Sequence, residues 1–331
     1  MSLTARLKQT LRPLVFAARQ ARQRCGRLLR PPLAWDGRHH PALLRFEPWE
    51  GTADGTFCYD FLGVRTDPRF RPQFRPQPAG ALRTEYPPPH AAYFEIAFVL
   101  DSVLAGGAGE RFTMLELGAG YGPWLVLAHR ATQLGTGRPT RLIGVEMVPH
   151  HFRWMHEHFR NNGIDPGEHR LLHAAVSDVA GEALYRPEPD RRLDFGQRVI
   201  RRVAGAKAPA AASPDAPASA NGAGARPVSV PCVTLASLLE EVGDVDLMHV
   251  DIQGEELRAL GPAIDRLSSR VRHLLVATHS RRIHRALRRR LGQAGWETIF
   301  DFGVRARERT PFGDVQFLDG MLAVVNRRLC S

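Results

Sequence analysis

Apolar and polar positions alternate in a repeating way over the second two-thirds of the chain. Short apolar runs at Phe112–Leu117, 141–146, 170–176, 246–250 and 271–277 have the length of strands. Between them, residues 124–133, 150–161, 255–267 and 281–294 carry apolar side chains at spacings of three and four, the period of a helix with one buried face. Repeated strand–helix units predict an α/β fold, a doubly wound, mostly parallel sheet with helices on both faces. Two last strands, at Glu297–Phe302 and 321–326, have a connection too short for another helix, so a C-terminal antiparallel pair is expected. In such sheets ligands bind beyond the C-terminal strand ends, at the switch point.

The pattern is weaker elsewhere. Residues 31–111 are expected to form a cap or lid. Their first part is rich in Pro, Arg and aromatics, with a strand or hairpin at 56–64 and an extended or looped stretch from Pro68 to Pro89. Residues 90–104 read as a helix ended by Gly106-Gly107. The Ala/Pro/Gly/Ser stretch at about 203–227 lacks apolar content to pack and is expected to be a disordered insertion. Strands resume after it, so residues 112–331 are read as one domain.

Composition narrows the classes. With 331 residues and 44% hydrophobic content, the chain can bury one large core plus additions. Cys25, Cys58, Cys232 and Cys330 are scattered without C-x-x-C spacing, so no zinc or disulfide framework is indicated and a reducing cytoplasm fits. Net charge is +11, but residues 1–30 hold eight Lys/Arg and no acid, leaving +3 for the rest. The body is therefore not a strongly basic nucleic-acid binder by charge alone. Leu3, Leu7, Leu11, Leu14, Ala18, Ala21, Cys25 and Leu28 form an apolar stripe among those arginines. That stripe suits peripheral contact with an anionic membrane face; a helix docked on its own domain, a targeting peptide or a basic tail are the other readings.

The chemistry concentrates at Glu116-Leu117-Gly118-Ala119-Gly120-Tyr121-Gly122, between a strand and a helix opened by Pro123. Glycines there let the backbone turn sharply and lie flat against a ligand. No lysine follows as a phosphate loop requires, and Pro123 stands where a dinucleotide loop has its third glycine. The G-x-G-x-G spacing suits a ligand without pyrophosphate, such as S-adenosylmethionine, whose cationic groups favour a carboxylate at Glu116. Glu146 ends the next strand 24 residues after Gly122, where an acid accepts bonds from both ribose hydroxyls in nucleotide-binding α/β folds.

With these segments placed, the chain resembles the FkbM family of S-adenosylmethionine-dependent methyltransferases, which have a class I, Rossmann-like fold. The carrying residues are 112–122, Gly144-Val145-Glu146, 173–178, 245–257, Thr278-His279-Ser280 and Asp319-Gly320. The glycine loop is generic to class I methyltransferases; Asp251-Ile252-Gln253-Gly254, with Glu256, is the family-specific stretch. The resemblance implies methyl transfer to a hydroxyl of a sugar, glycan or natural product. It implies cofactor contacts at Glu116, Gly118, Ala119, Gly120, Tyr121, Gly122, Glu146, Met147, Ala175, Val176 and Asp251. Two departures bear on catalysis. His249 stands where many members have lysine, and Ala277 where many have glutamate.

A sugar hydroxyl is a poor nucleophile, so a base within hydrogen-bond reach is expected. Asp251, after the fourth core strand, is either that base or a contact to the methionine ammonium. His279, after the fifth, is the other base candidate. Glu95, His249, Gln253 and Glu256 are candidate substrate contacts, and no compact ligand set for a metal is visible. A nucleic-acid methyltransferase is the alternative, favoured slightly by the basic helix at 281–294. Asp251-Ile252-Gln253-Gly254 stands where base-methylating enzymes carry an Asp/Asn-Pro-Pro-aromatic motif, which counts against it. A non-catalytic binding protein on the same fold is the third reading.

Overall fold

A computed structural model describes residues 32–106, 110–188, 195–204 and 227–330. The basic stripe at 1–30 and most of the 203–227 insertion lie outside the described residues. Seven strands form the central sheet: β1 (Phe112–Leu117), β2 (Thr140–Glu146), β3 (Arg170–His173), β4 (Val245–Val250), β5 (Val271–Thr278), β6 (Glu297–Phe302) and β7 (Gly320–Val325). Their order is β6-β7-β5-β4-β1-β2-β3. Strands β1 to β5 run parallel, and β7 pairs antiparallel with both β5 and β6. The expected α/β sheet and its antiparallel C-terminal pair are both present, and the strand order reverses between β1 and β4.

Seven helices are described: α1 (Ala91–Leu104), α2 (Pro123–Gly135), α3 (Pro149–Asn161), α4 (Leu235–Val242), α5 (Glu256–Leu260), α6 (Ile264–Arg270) and α7 (Arg281–Gln293). Alternation along β1 divides the core in two, because successive side chains point to opposite faces. Phe112 and Met114 pack with Phe94, Phe98 and Leu125 of α1 and α2. Leu115 and Leu117 pack on the other face with Leu238, Leu267 and Leu287 of α4, α6 and α7. Strands β1, β4 and β7 are buried along their whole length, which is why they read as mainly apolar runs, interrupted in β1 by Thr113 and Glu116 and in β4 by Asp246 and His249. Helix α7 shows the opposite pattern. His284, Leu287 and Leu291 are buried while its arginines face outward. No described helix is long and apolar enough to cross a membrane.

Three expectations are corrected. The strand expected at 170–176 is two strands. β2, the only neighbour of β3 among the described strands, ends at Glu146, whose partner is His173. Beyond it the chain bends, and Ala175–Ser177 pairs with Val228–Thr234 in a separate four-stranded sheet. The helix expected at 255–267 breaks into α5 and α6 around Gly261-Pro262, since proline removes a helical donor and clashes with the preceding turn. Within the stretch from Pro68 to Pro89, Gly80–Arg83 does pair, antiparallel to Glu50–Ala53. A further hairpin, Ala306–Thr310 with Gly313–Phe317, lies between β6 and β7. It brings Phe317 against Phe302, with ring centroids 4.4 Å apart.

Candidate active site

The strand ends that flank the switch point carry the glycine loop, Glu146, Asp251 and His279. Gly118, Gly120 and Gly122 all have positive φ. At Gly118 the requirement is absolute, since a Cβ there would stand 1.9 Å from the Asp251 carbonyl oxygen. The main chains after β1 and β4 are therefore in contact across the switch point. Gly118 and Ala119 both donate to the Val145 carbonyl, at 2.9 and 3.0 Å. Gly122 is the N-cap of α2 and packs toward Met155 and Phe159.

Glu146 ties this loop to the end of β2. One carboxylate oxygen accepts from the Gly120 N–H at 2.7 Å, the other from the Val148 N–H at 2.7 Å. Each oxygen keeps a second lone pair for a ligand. Burial raises the pKa of Glu146 from 4.5 to about 7, against the lowering effect of those two N–H donors. Glu116 is buried on the α1/α2 face. It accepts from the Leu125 N–H at 3.3 Å and lies 3.3 Å from His249 Nδ1, its register partner on β4. Burial pushes its pKa well above the usual carboxylate range, and the charge of Asp251 adds to this. His249 is 2% exposed and neither ring nitrogen has a hydrogen-bond partner among the described residues. Burial accordingly pulls its pKa down.

A cleft of about 790 Å³, counting the solvent space at its mouth, opens over these residues. Glu116, Gly118, Ala119, Gly120, Tyr121, Glu146, Met147, Ala175, Val176, His249, Asp251 and Gln253 of the expected set all line it. Gly122 lies beneath, and Glu95, Glu256 and His279 lie to one side, outside the lining. Sequence reasoning missed Arg71, Trp124, His151 and Phe195, which also line the cleft. Trp124, beside Pro123, was the one with a local signal. Arg71 and Phe195 arrive by packing alone. Phe70 is fully buried against Tyr121 and Trp154, which sets Arg71 at the rim. Its guanidinium carbon sits 3.4 Å from the centre of the Phe195 ring, which stacks on His151 at 4.0 Å.

On the far side of Asp251, side chains meet one another. Gln253, held at φ 51°, donates to Asp251 Oδ1 at 2.7 Å. A positive φ at glutamine is uncommon and costs backbone energy, which this hydrogen bond helps to offset. His279 Nδ1 lies 2.7 Å from Glu256 Oε1, and its Nε2 is 3.3 Å from Asp251 Oδ1 and 3.9 Å from Asp319. Although Nε2 is buried, it is not aligned for a hydrogen bond with any atom of the described residues. Burial lowers the His279 pKa, but the Glu256 hydrogen bond and the neighbouring carboxylates outweigh it and leave the value raised. Glu256 is fully buried and also accepts from the Gly254 N–H at 2.7 Å, so it presents no surface to a substrate. Glu95, on α1, is half-buried among Asp251, Asp319, Glu116 and His249. Burial first, then those carboxylates, raises its pKa to about 7.

The methyltransferase FkbM domain family matches residues 117–296, which include the glycine loop, Glu146, Asp251 and His279. This chain belongs to the FkbM methyltransferase family. It is 30% identical over 264 residues to a protein of Jannaschia sp. (strain CCS1) that carries a methyltransferase name, covering 78% of this chain and 88% of that one. Among solved structures, the FkbM methyltransferase of Methylobacillus flagellatus KT is similar at 13% identity, covering 65% of this chain and 44% of that one, with a TM-score of 0.37. A precorrin 8W decarboxylase of Methanobacterium thermoautotrophicum is similar at 10% identity, covering 72% and 92% of the respective chains, with a TM-score of 0.37. This chain is thus a methyltransferase of that family, whose glycine loop and Asp251 stretch meet at one cleft.

Proposed function

We propose that this FkbM protein methylates a hydroxyl of an uncharged polyhydroxylated acceptor, a sugar, glycan or natural product, using S-adenosylmethionine. The observation that carries the reading is His279. Its Nε2 is buried, unpartnered and 3.3 Å from an Asp251 oxygen that itself borders the glycine-loop cleft.

Three features fit the donor. The loop presents backbone rather than side chain at Gly118 and Gly120. Glu146 has acceptor capacity left after two N–H bonds. The His249 ring, with no hydrogen bond among the described residues, and the Glu116 carboxylate 3.3 Å from its Nδ1 both line the cleft. S-adenosylmethionine, held by the glycine loop and Glu146, would supply a methyl on a sulfonium, to be transferred from sulfur to the acceptor oxygen with a neutral thioether as the leaving group. Asp251 and Gln253 orient the acceptor at the cleft border, and His279 Nε2 takes the hydroxyl proton. Holding the reacting groups in line supplies much of the barrier reduction, and proton removal adds a further ~100-fold or more.

The carboxylates beside Nε2 bear on the acceptor. Asp251 and Asp319 are 37% and 58% exposed there, and like charges repel a polyanion. That supports a neutral acceptor over nucleic acid, despite the exposed arginines of α7.

Calorimetric titration with S-adenosylmethionine and with NAD, on wild type and Glu146→Ala, tests the donor. S-adenosylmethionine should bind, NAD should not, and the substitution should weaken binding at least tenfold. Absence of S-adenosylmethionine binding, or indifference to the substitution, would sink the donor assignment. A panel of neutral, phosphorylated and RNA acceptors then tests the second half, with methylation of RNA alone as the outcome that overturns it.

A further inference from the structure

We propose that Glu256 is a positioning residue that holds His279 in the tautomer whose Nε2 lone pair faces the acceptor hydroxyl. The inference rests on the base role given to His279 above. A carboxylate only accepts hydrogen bonds, so the contact at 2.7 Å requires the ring proton to be on Nδ1. In the neutral ring Nε2 is then left as the acceptor, on the side that faces Asp251 and Asp319.

The geometry around Glu256 makes this a built arrangement. The side chain is fully buried, and Oε1 takes both the His279 ring and the Gly254 N–H, each at 2.7 Å. The Gly254 N–H comes from the turn between Asp251 and α5, so the same turn that places Asp251 also fixes the carboxylate. Oε2 is buried with no partner, so Oε1 alone does the orienting. A histidine held through one ring nitrogen by a carboxylate, with the other nitrogen facing the reacting group, is how a base is kept in the useful tautomer and how its positive form is stabilised after proton uptake. The proton lost by the acceptor hydroxyl goes to Nε2, and the resulting imidazolium keeps its Nδ1–H on Glu256 until it releases the Nε2 proton to solvent.

The groups that face His279 are Glu256 on α5, Asp251 after β4 and Asp319 before β7, with Glu95 of α1 beyond the last two. Arg281, two residues on, directs its guanidinium toward the Val304 carbonyl instead. Removing the Glu256 charge therefore removes the closest of several negative neighbours and should move the His279 titration to lower pH. The Gly254 N–H gives the conservative variant a definite geometry. In Glu256→Gln the amide oxygen should stay where two donors point, keep accepting from Nδ1–H and preserve the tautomer without the charge.

The experiment compares wild type, Glu256→Gln, Glu256→Ala and His279→Ala with the acceptor found above, together with nitrogen-15 NMR of labelled histidine. Glu256→Ala should lower kcat about 100-fold, with S-adenosylmethionine affinity and acceptor KM within threefold of wild type. Glu256→Gln should keep kcat within about tenfold, with the rising limb of the pH profile shifted to lower pH. NMR of the wild type, assigned by difference from His279→Ala, should show the proton on Nδ1. A proton on Nε2, an unmoved pH limb in Glu256→Gln, or a raised acceptor KM at unchanged kcat in Glu256→Ala would each overturn the positioning role. Should Glu256→Ala fail to fold, the Gln variant's pH limb and the NMR signal decide the matter. Wild-type turnover in His279→Ala would instead remove the base reading itself, a separate outcome.

Discussion

The two halves of the cleft are built from different materials. The glycine-loop half is made of main chain. Gly118, Ala119, Gly120 and Val148 spend their N–H groups on Val145 and Glu146, and the buried carboxylate of Glu146 is satisfied by backbone on both oxygens. The histidine half is made of side chains. Asp251 and Glu256 come from the two ends of one turn and His279 and Asp319 from two other segments, and Nε2 of His279 and Oε2 of Glu256 have no hydrogen-bond partner among the described residues. A main-chain surface fixed by turns and its own hydrogen bonds suits a ligand that is the same in every reaction. Side chains with open hydrogen-bonding capacity suit a partner that completes them on arrival, because unpaired buried polar atoms cost free energy until something pairs them.

The contrast predicts that damage to the first half is structural and to the second chemical. Gly118→Ala should be the most severe change. Its Cβ would meet the Asp251 carbonyl oxygen at 1.9 Å in a backbone held at φ 75°. Backbone cannot yield as a side-chain tip can, so the cost should be about 3 kcal/mol or more. The denaturation midpoint and S-adenosylmethionine affinity should fall together. A variant of wild-type stability that binds the donor normally would show that β1 and β4 are not locked at this point.

The glycine-loop half was also the legible half. A turn that needs positive φ must show glycine in the sequence, and an acid at the end of the next strand is set by chain length, so Gly118, Gly120 and Glu146 could be found in one dimension. The sheet was legible for the same reason, since strands buried on both faces leave apolar runs. What could not be read is what packing decides. Glu256 looks like an ordinary acid in the first turn of a helix, and only the approach of β5 to α5 reveals that it meets His279. Arg71 and Phe195 lie more than a hundred positions apart and have no local pattern to mark them. The break of 170–176 into two strands depends on where β2 ends, a fact about a neighbouring strand rather than about that segment.

A second, intermediate effect concerns Glu146. Its pKa is raised from 4.5 to about 7 by burial, so the folded chain binds a proton there that the unfolded chain has already released. The stabilising contribution is present below the unfolded value and is lost as pH rises through the folded one. Glu146→Gln has no such titration. The stability of wild type relative to this variant should therefore fall between pH 5 and pH 8, by about 1 to 3 kcal/mol at roughly 1.4 kcal/mol per pKa unit. Chemical denaturation at four pH values checks this. A difference that is flat or that rises with pH would mean Glu146 is ionised throughout, held by stronger donors than Gly120 and Val148.

Phe195 should give the smallest effect, and it tests where the comparison ends. Its ring is sandwiched between the Arg71 guanidinium at 3.4 Å and the His151 ring at 4.0 Å, and its edge is 3.2 Å from where a Gly120 Cβ would stand. It is thus a place where a side chain from the segment ahead of the insertion, which also lines the cleft with Gln197 and Val199, covers the backbone half. Arginine–aromatic contact is worth about 0.5 to 2 kcal/mol, and Phe195 lies outside the main core clusters. Phe195→Ala should therefore weaken S-adenosylmethionine binding about three- to tenfold through a faster off-rate, with the denaturation midpoint and the His279 pH limb unchanged. An unaltered donor affinity would confine the donor site to main chain. A shifted pH limb would mean that the two halves are coupled through the cleft mouth, and that the division between structural and chemical damage fails there.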